Sequence, residues 1–137
     1  MRLSLHFLVS IIVALVLYPF FGISALFVLV GGSLIDVDHI LDYYLRYKSL
    51  NIKEAYNHYM EGNIKPNEGE YRAALRIFHN VEFVVIILIL SFFEYRFLMV
   101  LIGLALHFIM DIKNEIRLFG GLHNYSLIKR LLKRKAL

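Results

Sequence analysis

The chain is 137 residues long with a net charge of +4, and it is 59% hydrophobic but only 19% charged, with a mean hydropathy of +0.64. That length admits one domain, and that composition departs from the roughly half-apolar, quarter-charged make-up of soluble domains, which points to a membrane protein. There is no cysteine, which excludes disulfides, iron–sulfur clusters and thiolate zinc sites, so any metal must be held by His, Asp, Glu, carbonyls or water.

From Leu3 to Ile35 there is no charged residue and a single His. Thirty-three such residues exceed one bilayer crossing of roughly 20. Pro19 and Gly22 supply a break, which predicts a hairpin of two spans at about 4–19 and 21–38. A cleaved signal peptide is the competing reading of the first run, but no convincing small-x-small cleavage site follows it. The segment 42–76 is the one sizeable polar stretch. Asn51-Ile52-Lys53-Glu54 reads as a helix start, Gly62 as a stop, and Lys65-Pro66-Asn67-Glu68-Gly69 as a turn. Two more apolar runs predict spans at about 77–94 and 97–113, with Glu82 and Asp111 at membrane depth in a shared polar site. In the tail 124–137, Asn124 is expected to cap a basic amphipathic helix over Leu127, Leu131 and Leu132.

The expected fold class is therefore all-α: a membrane-embedded four-helix bundle in a single domain, with a small helical insertion and a basic C-terminal helix. Five of the fifteen basic residues fall in the last nine positions. They read as a tail on anionic lipid headgroups, and no nucleic-acid partner is expected. With four spans, fourteen of the fifteen basic residues share the side of both termini and only Arg96 lies on the other. The positive-inside rule makes the first side cytoplasmic, so the expected location is the inner cell membrane with both termini and segment 42–76 inside.

The chemistry-bearing residues of this topology gather at one level. His6 opens the first predicted span; Asp36, Asp38 and His39 close the second; His79 and Glu82 open the third; His107 and Asp111 close the fourth. Asp36/His39 and His79/Glu82 are spaced i,i+3 and His107/Asp111 i,i+4, so each pair projects from one helix face. Such pairs build metal sites inside helix bundles. A buried carboxylate needs compensation, and a divalent metal neutralises two while using the imidazoles. Zinc suits the N/O ligand set, and manganese or iron also fit. Taken singly, each residue has an ordinary reading as an interface His, a packed polar group or a helix cap. Taken together, they leave a metal site or a structural or proton-conducting polar cluster. Glu54 and His58, i,i+4 in the polar segment, read more simply as a solvated face.

These residues resemble the family of small membrane-bound metal-dependent hydrolases that includes YdjM. The resemblance rests on His6, on Ile35-Asp36-Val37-Asp38-His39 with its Asp-x-Asp-His, on Phe78-His79-Asn80, and on the His-x-x-x-Asp of His107-Phe108-Ile109-Met110-Asp111. It covers residues 1–112. Where the family pattern has His-Arg followed by Thr-His-Ser, this chain has Ala74-Leu75-Arg76-Ile77-Phe78-His79-Asn80, so one family His is absent and Glu82 is the expected substitute. The resemblance implies hydrolysis of a phosphoester or other ester, with a lipid as an expected substrate, and catalytic carboxylates at Asp38, Asp111 and Glu82. The alternative is a non-catalytic metal-binding or structural subunit of a membrane assembly, or a homo-oligomer.

Overall fold

The computed structural model describes residues 3–61, 76–121 and 125–128. Among these, regular structure is helical throughout, with no strand. Helix α1 (Leu3–Phe21) leads through a 3-10 stretch (Gly22–Leu26) into the short α2 (Phe27–Gly32). A second 3-10 turn (Leu34–Asp36) enters α3 (Val37–Tyr47), followed by α4 (Ile52–Glu61), α5 (Val81–Ser91) and α6 (Tyr95–Phe119).

Helices α1 and α2 pack against each other. Pro19 fits within the last turn of α1, and the reversal falls at Gly22, whose φ of 57° lies in the left-handed region that glycine enters without a Cβ penalty. The second predicted span, 21–38, is not one helix. It is interrupted after Gly32, so that Asp36, Asp38 and His39 stand at the entrance to α3 rather than closing a helix.

The third helix also differs from its expected bounds. Residues 76–80 are bent, since the Asn80 amide donates to the carbonyls of Arg76 (2.7 Å) and Ile77 (2.8 Å), and the Phe78 N–H donates to Asp38 Oδ2 (3.2 Å). Side-chain bonds of this kind compete with the helical ladder. The 11 residues of α5 then extend about 16 Å, well short of a hydrocarbon layer of about 30 Å. Helix α6 is longer than expected, at 25 residues, and ends where Gly120 adopts a φ of 69°.

By length and composition, two helical stretches suffice to cross a membrane: Ser4–Tyr47, which contains the hairpin, and Tyr95–Arg117. Helix α6 packs on α2, α5 and α1. One apolar cluster joins Ile35, Ile87, Val100 and Leu104, and another joins Ala14, Val28 and Met99. Outside these clusters the usual order is reversed. Phe7, Ile12, Leu15 and Val16 of α1 are exposed, and just after α5 Phe92 and Phe93 are 82% and 83% exposed, whereas His6, Ser10, Asp38, His79 and His107 are buried.

In the polar segment, Asn51 starts α4 as expected. Its Oδ1 accepts from the backbone N–H groups of Lys53 (3.1 Å) and Glu54 (3.3 Å). The predicted stop at Gly62, the turn at 65–69, and all of the C-terminal helix beyond Ile128 lie outside the described residues.

Candidate metal centre

Four separate stretches meet at one level of the molecule. Helix α1 contributes His6, the entrance to α3 contributes Asp36, Asp38 and His39, the bend before α5 contributes His79, and α6 contributes His107 and Asp111. They form three groups able to hold an ion: His6, His107 and Asp111; Asp36, His79 and His107; Asp38, His39 and His79. His79 and His107 are shared, so seven of the eight residues expected at the site are brought together.

The hydrogen bonds at the edge of this cluster dictate its interior. The Nδ1 of His107 lies 3.0 Å from the Gly32 carbonyl, which can only accept, so Nδ1 carries the proton. The Nδ1 of His79 lies 2.8 Å from the Asp38 carboxylate and is likewise the donor. In their neutral forms both rings therefore present a bare Nε2, and these two atoms face each other at 2.9 Å. Around them stand Asp36 Oδ1, at 3.3 and 3.5 Å from the two nitrogens, and Asp111 Oδ2, at 3.8 and 3.2 Å. Four acceptor atoms thus converge, and a cation or shared protons must lie among them. Ligands bound about 2.1 Å from a tetrahedral zinc are separated by about 3.4 Å, close to the spacings here.

The outer members serve this set. His6 stacks on His107 with ring centroids 4.0 Å apart, and its Nε2 lies 3.3 Å from Asp111 Oδ1. His39 stacks on His79 at 5.0 Å and reaches Asp38 Oδ1 at 3.0 Å and Asp36 Oδ1 at 3.7 Å. Asp38 is buried completely, with one oxygen on His79 and the other toward His39, the arrangement by which a carboxylate fixes the orientation of a metal-binding imidazole. The Asp36, His39 and Asp111 side chains keep 15%, 26% and 21% exposure, and they form the open edge of the cluster.

Glu82 does not take the place expected for it. Its oxygens accept from Ser126 Oγ (2.6 Å), Leu127 N (3.1 Å) and Ile128 N (3.1 Å), where the chain begins a further helical turn. It faces away from the ligand groups because it lies in the first turn of α5, beyond the bend that aims His79 inward. Glu54 and His58 also join none of the three groups found among the described residues. Glu54 accepts from Tyr43 (3.4 Å), and His58 packs against the rings of Tyr43 and Tyr47.

Sequence reasoning missed the supporting groups. Gly32 supplies the carbonyl that orients His107. Gly31, Gly32 and Gly103 allow α2 and α6 to touch backbone to backbone, and Asn80 makes the bend that delivers His79. Small residues one turn before His107 were the available signal for the close approach. Comparison with known protein families, with curated proteins and with solved structures found no match.

Proposed function

We propose that this chain is an integral membrane protein with a divalent metal centre, and that it acts as a metal-dependent hydrolase on a phosphoester or other ester at the cytoplasmic face of the inner membrane. The observation that carries the reading is the pair of imidazole nitrogens facing each other at 2.9 Å with two carboxylates beside them, a nitrogen and oxygen set of the kind that holds a divalent cation. Burying carboxylates unneutralised costs several kcal/mol each, and a divalent ion bound among the ligand groups would offset that cost. Membrane residence is supported by the apolar outer surface wrapped around buried polar groups. The orientation rests on the distribution of basic residues.

In this reading His79 Nε2, His107 Nε2 and Asp36 would hold the ion and leave a position for water, with Asp111, His6 and His39 flanking. Zinc suits these ligands, and manganese or iron fit the same set. When bound, the metal supplies Lewis acidity and lowers the pKa of water to near neutrality. Asp111, at the open edge, is placed to take the proton from attacking water. Asp38 has no exposed surface and acts on the chemistry by holding His79 Nδ1. Leu34, Val37 and Leu41 are exposed beside Asp36 and His39, a surface suited to the acyl part of a lipid or lipid-linked substrate.

Metal analysis of the protein purified from membranes, beside His79→Ala and His107→Ala, tests the centre. Stoichiometric metal in the parent and its loss in both variants is expected, and undiminished metal in both refutes the site. Turnover of phosphoesters or phospholipids with added Zn²⁺ or Mn²⁺, abolished in Asp111→Asn, supports the hydrolase. The second reading is a non-catalytic metal-binding subunit or homo-oligomer. It is favoured by the missing family His, whose place Glu82 does not fill, and metal uptake without turnover would establish it.

A further inference from the structure

The centre described above depends on His107 presenting Nε2, and the groups that enforce this lie outside the ligand set. Helix α2 ends at Gly32, and the next backbone bonds run from Ser33 N to Leu29 O and from Asp36 N to Ser33 O, leaving the Gly32 carbonyl to His107 Nδ1. That bond requires α2 and α6 to lie at backbone contact. A Cβ on Gly103, one turn before His107, would fall far inside contact distance of the Val28 carbonyl and 2.7 Å from Gly32 N. A Cβ on Gly31 would collide with the Val100 carbonyl, and one on Gly32 with Ser10 Oγ. Ser10 in turn donates to the carbonyl of His6 (2.7 Å), so the same junction joins the helix that carries the ring stacked on His107.

We infer that the glycine junction of Gly31, Gly32 and Gly103 is a positioning device for the centre. It fixes His107 as the Nδ1-protonated tautomer through the Gly32 carbonyl and so sets the affinity for a divalent metal. The inference rests on the metal reading for its affinity arm but not for its tautomer arm. Loss of such an orienting bond lowers metal affinity by roughly 10–100-fold.

The test uses the full-length chain in detergent or nanodiscs. In the metal-free parent at alkaline pH, imidazole ¹⁵N shifts are expected to show His107 protonated at Nδ1. Zn²⁺ affinity, measured by competition with a chromophoric chelator, is expected to fall at least tenfold in Gly103→Ala and in Gly32→Ala. The Co²⁺ absorption spectrum is expected to change with it. Combining Gly32→Ala with Ser10→Gly removes the atoms that the new methyl meets and is expected to return the affinity to within about threefold of the parent and to restore the parental Co²⁺ spectrum. A parent that takes up no Zn²⁺ while showing the Nδ1 tautomer defeats the metal reading alone. A metal-binding parent whose His107 is protonated at Nε2, or whose Gly103→Ala variant keeps parental affinity and spectrum, overturns the junction. Failure of Ser10→Gly to restore Gly32→Ala also overturns it. If Gly103→Ala does not fold, the tautomer and the Gly32/Ser10 pair decide the outcome.

Discussion

Two places in this molecule collect buried and half-buried acidic side chains, and they differ in what meets the oxygens. Beside α5 and the end of α6, Glu82 receives a hydroxyl and two backbone N–H groups from 126–128, and Glu115 receives the Tyr125 hydroxyl. Carboxylates supplied with donors hold protein to protein and need no further ligand. At the cluster between α1, α3 and α6, Asp36 and Asp111 face imidazole nitrogens whose other ring atoms already carry the protons. Residue type does not separate the two places, but what faces the oxygens does: a hydroxyl and backbone N–H groups at one, imidazole rings at the other.

The contrast breaks most sharply under substitutions that empty one place and leave the other intact. Asp36→Ala or His107→Ala is expected to abolish stoichiometric metal binding, read by elemental analysis, while Glu82→Gln keeps the parental metal content. Next in size is pH. Metal binding requires bare Nε2 atoms, and protons compete with the metal for them. Apparent Zn²⁺ affinity is therefore expected to fall roughly tenfold or more from pH 7.5 to 5.5, as followed by chelator competition. An affinity that rises on acidification would count against imidazole ligands.

Smaller effects belong to the clasp and the caps. Glu82→Gln keeps one acceptor oxygen but loses the charge, and charge-assisted bonds of this kind contribute about 1.5–3 kcal/mol. The expected result is faster hydrogen exchange or proteolysis at 125–128 with metal affinity unchanged. A parallel loss of metal would make Glu82 a ligand after all. The smallest change is Asn51→Ala, expected to destabilise α4 by about 1 kcal/mol, read as local hydrogen exchange, with no effect on the cluster.

Much of this organisation was legible in the sequence because it depends on local spacing and on solvent. The hairpin follows from Pro19 and Gly22 in an uncharged run, the α4 start from Asn51, and the i,i+4 pair on α6 from helical periodicity. The length of α5 was less legible. Its apolar run extends to Phe93, but the side chain of Asn80 and the Asp38 carboxylate withdraw residues 76–80 from the helix, and Asp38 is remote in sequence. The split of the second span into α2 and α3 was hidden in the same way, since an uninterrupted apolar stretch carries no mark of where a backbone carbonyl is taken up by a distant ring.

The chain's own order of residues determined that it is helical, that its apolar surface exceeds what a small soluble core can bury, and that imidazoles and carboxylates recur at one level. Hydropathy, helical spacing and residue chemistry are properties of neighbours along the chain. Only the tertiary structure decided which acids join the imidazoles, because that depends on rotation about helices, on a bend at Asn80, and on glycines that let two backbones touch. Hydrogen-bond donors reach Glu82 from 44 to 46 residues away and none of these reaches Asp36, and that long-range difference separates a structural carboxylate from a candidate ligand.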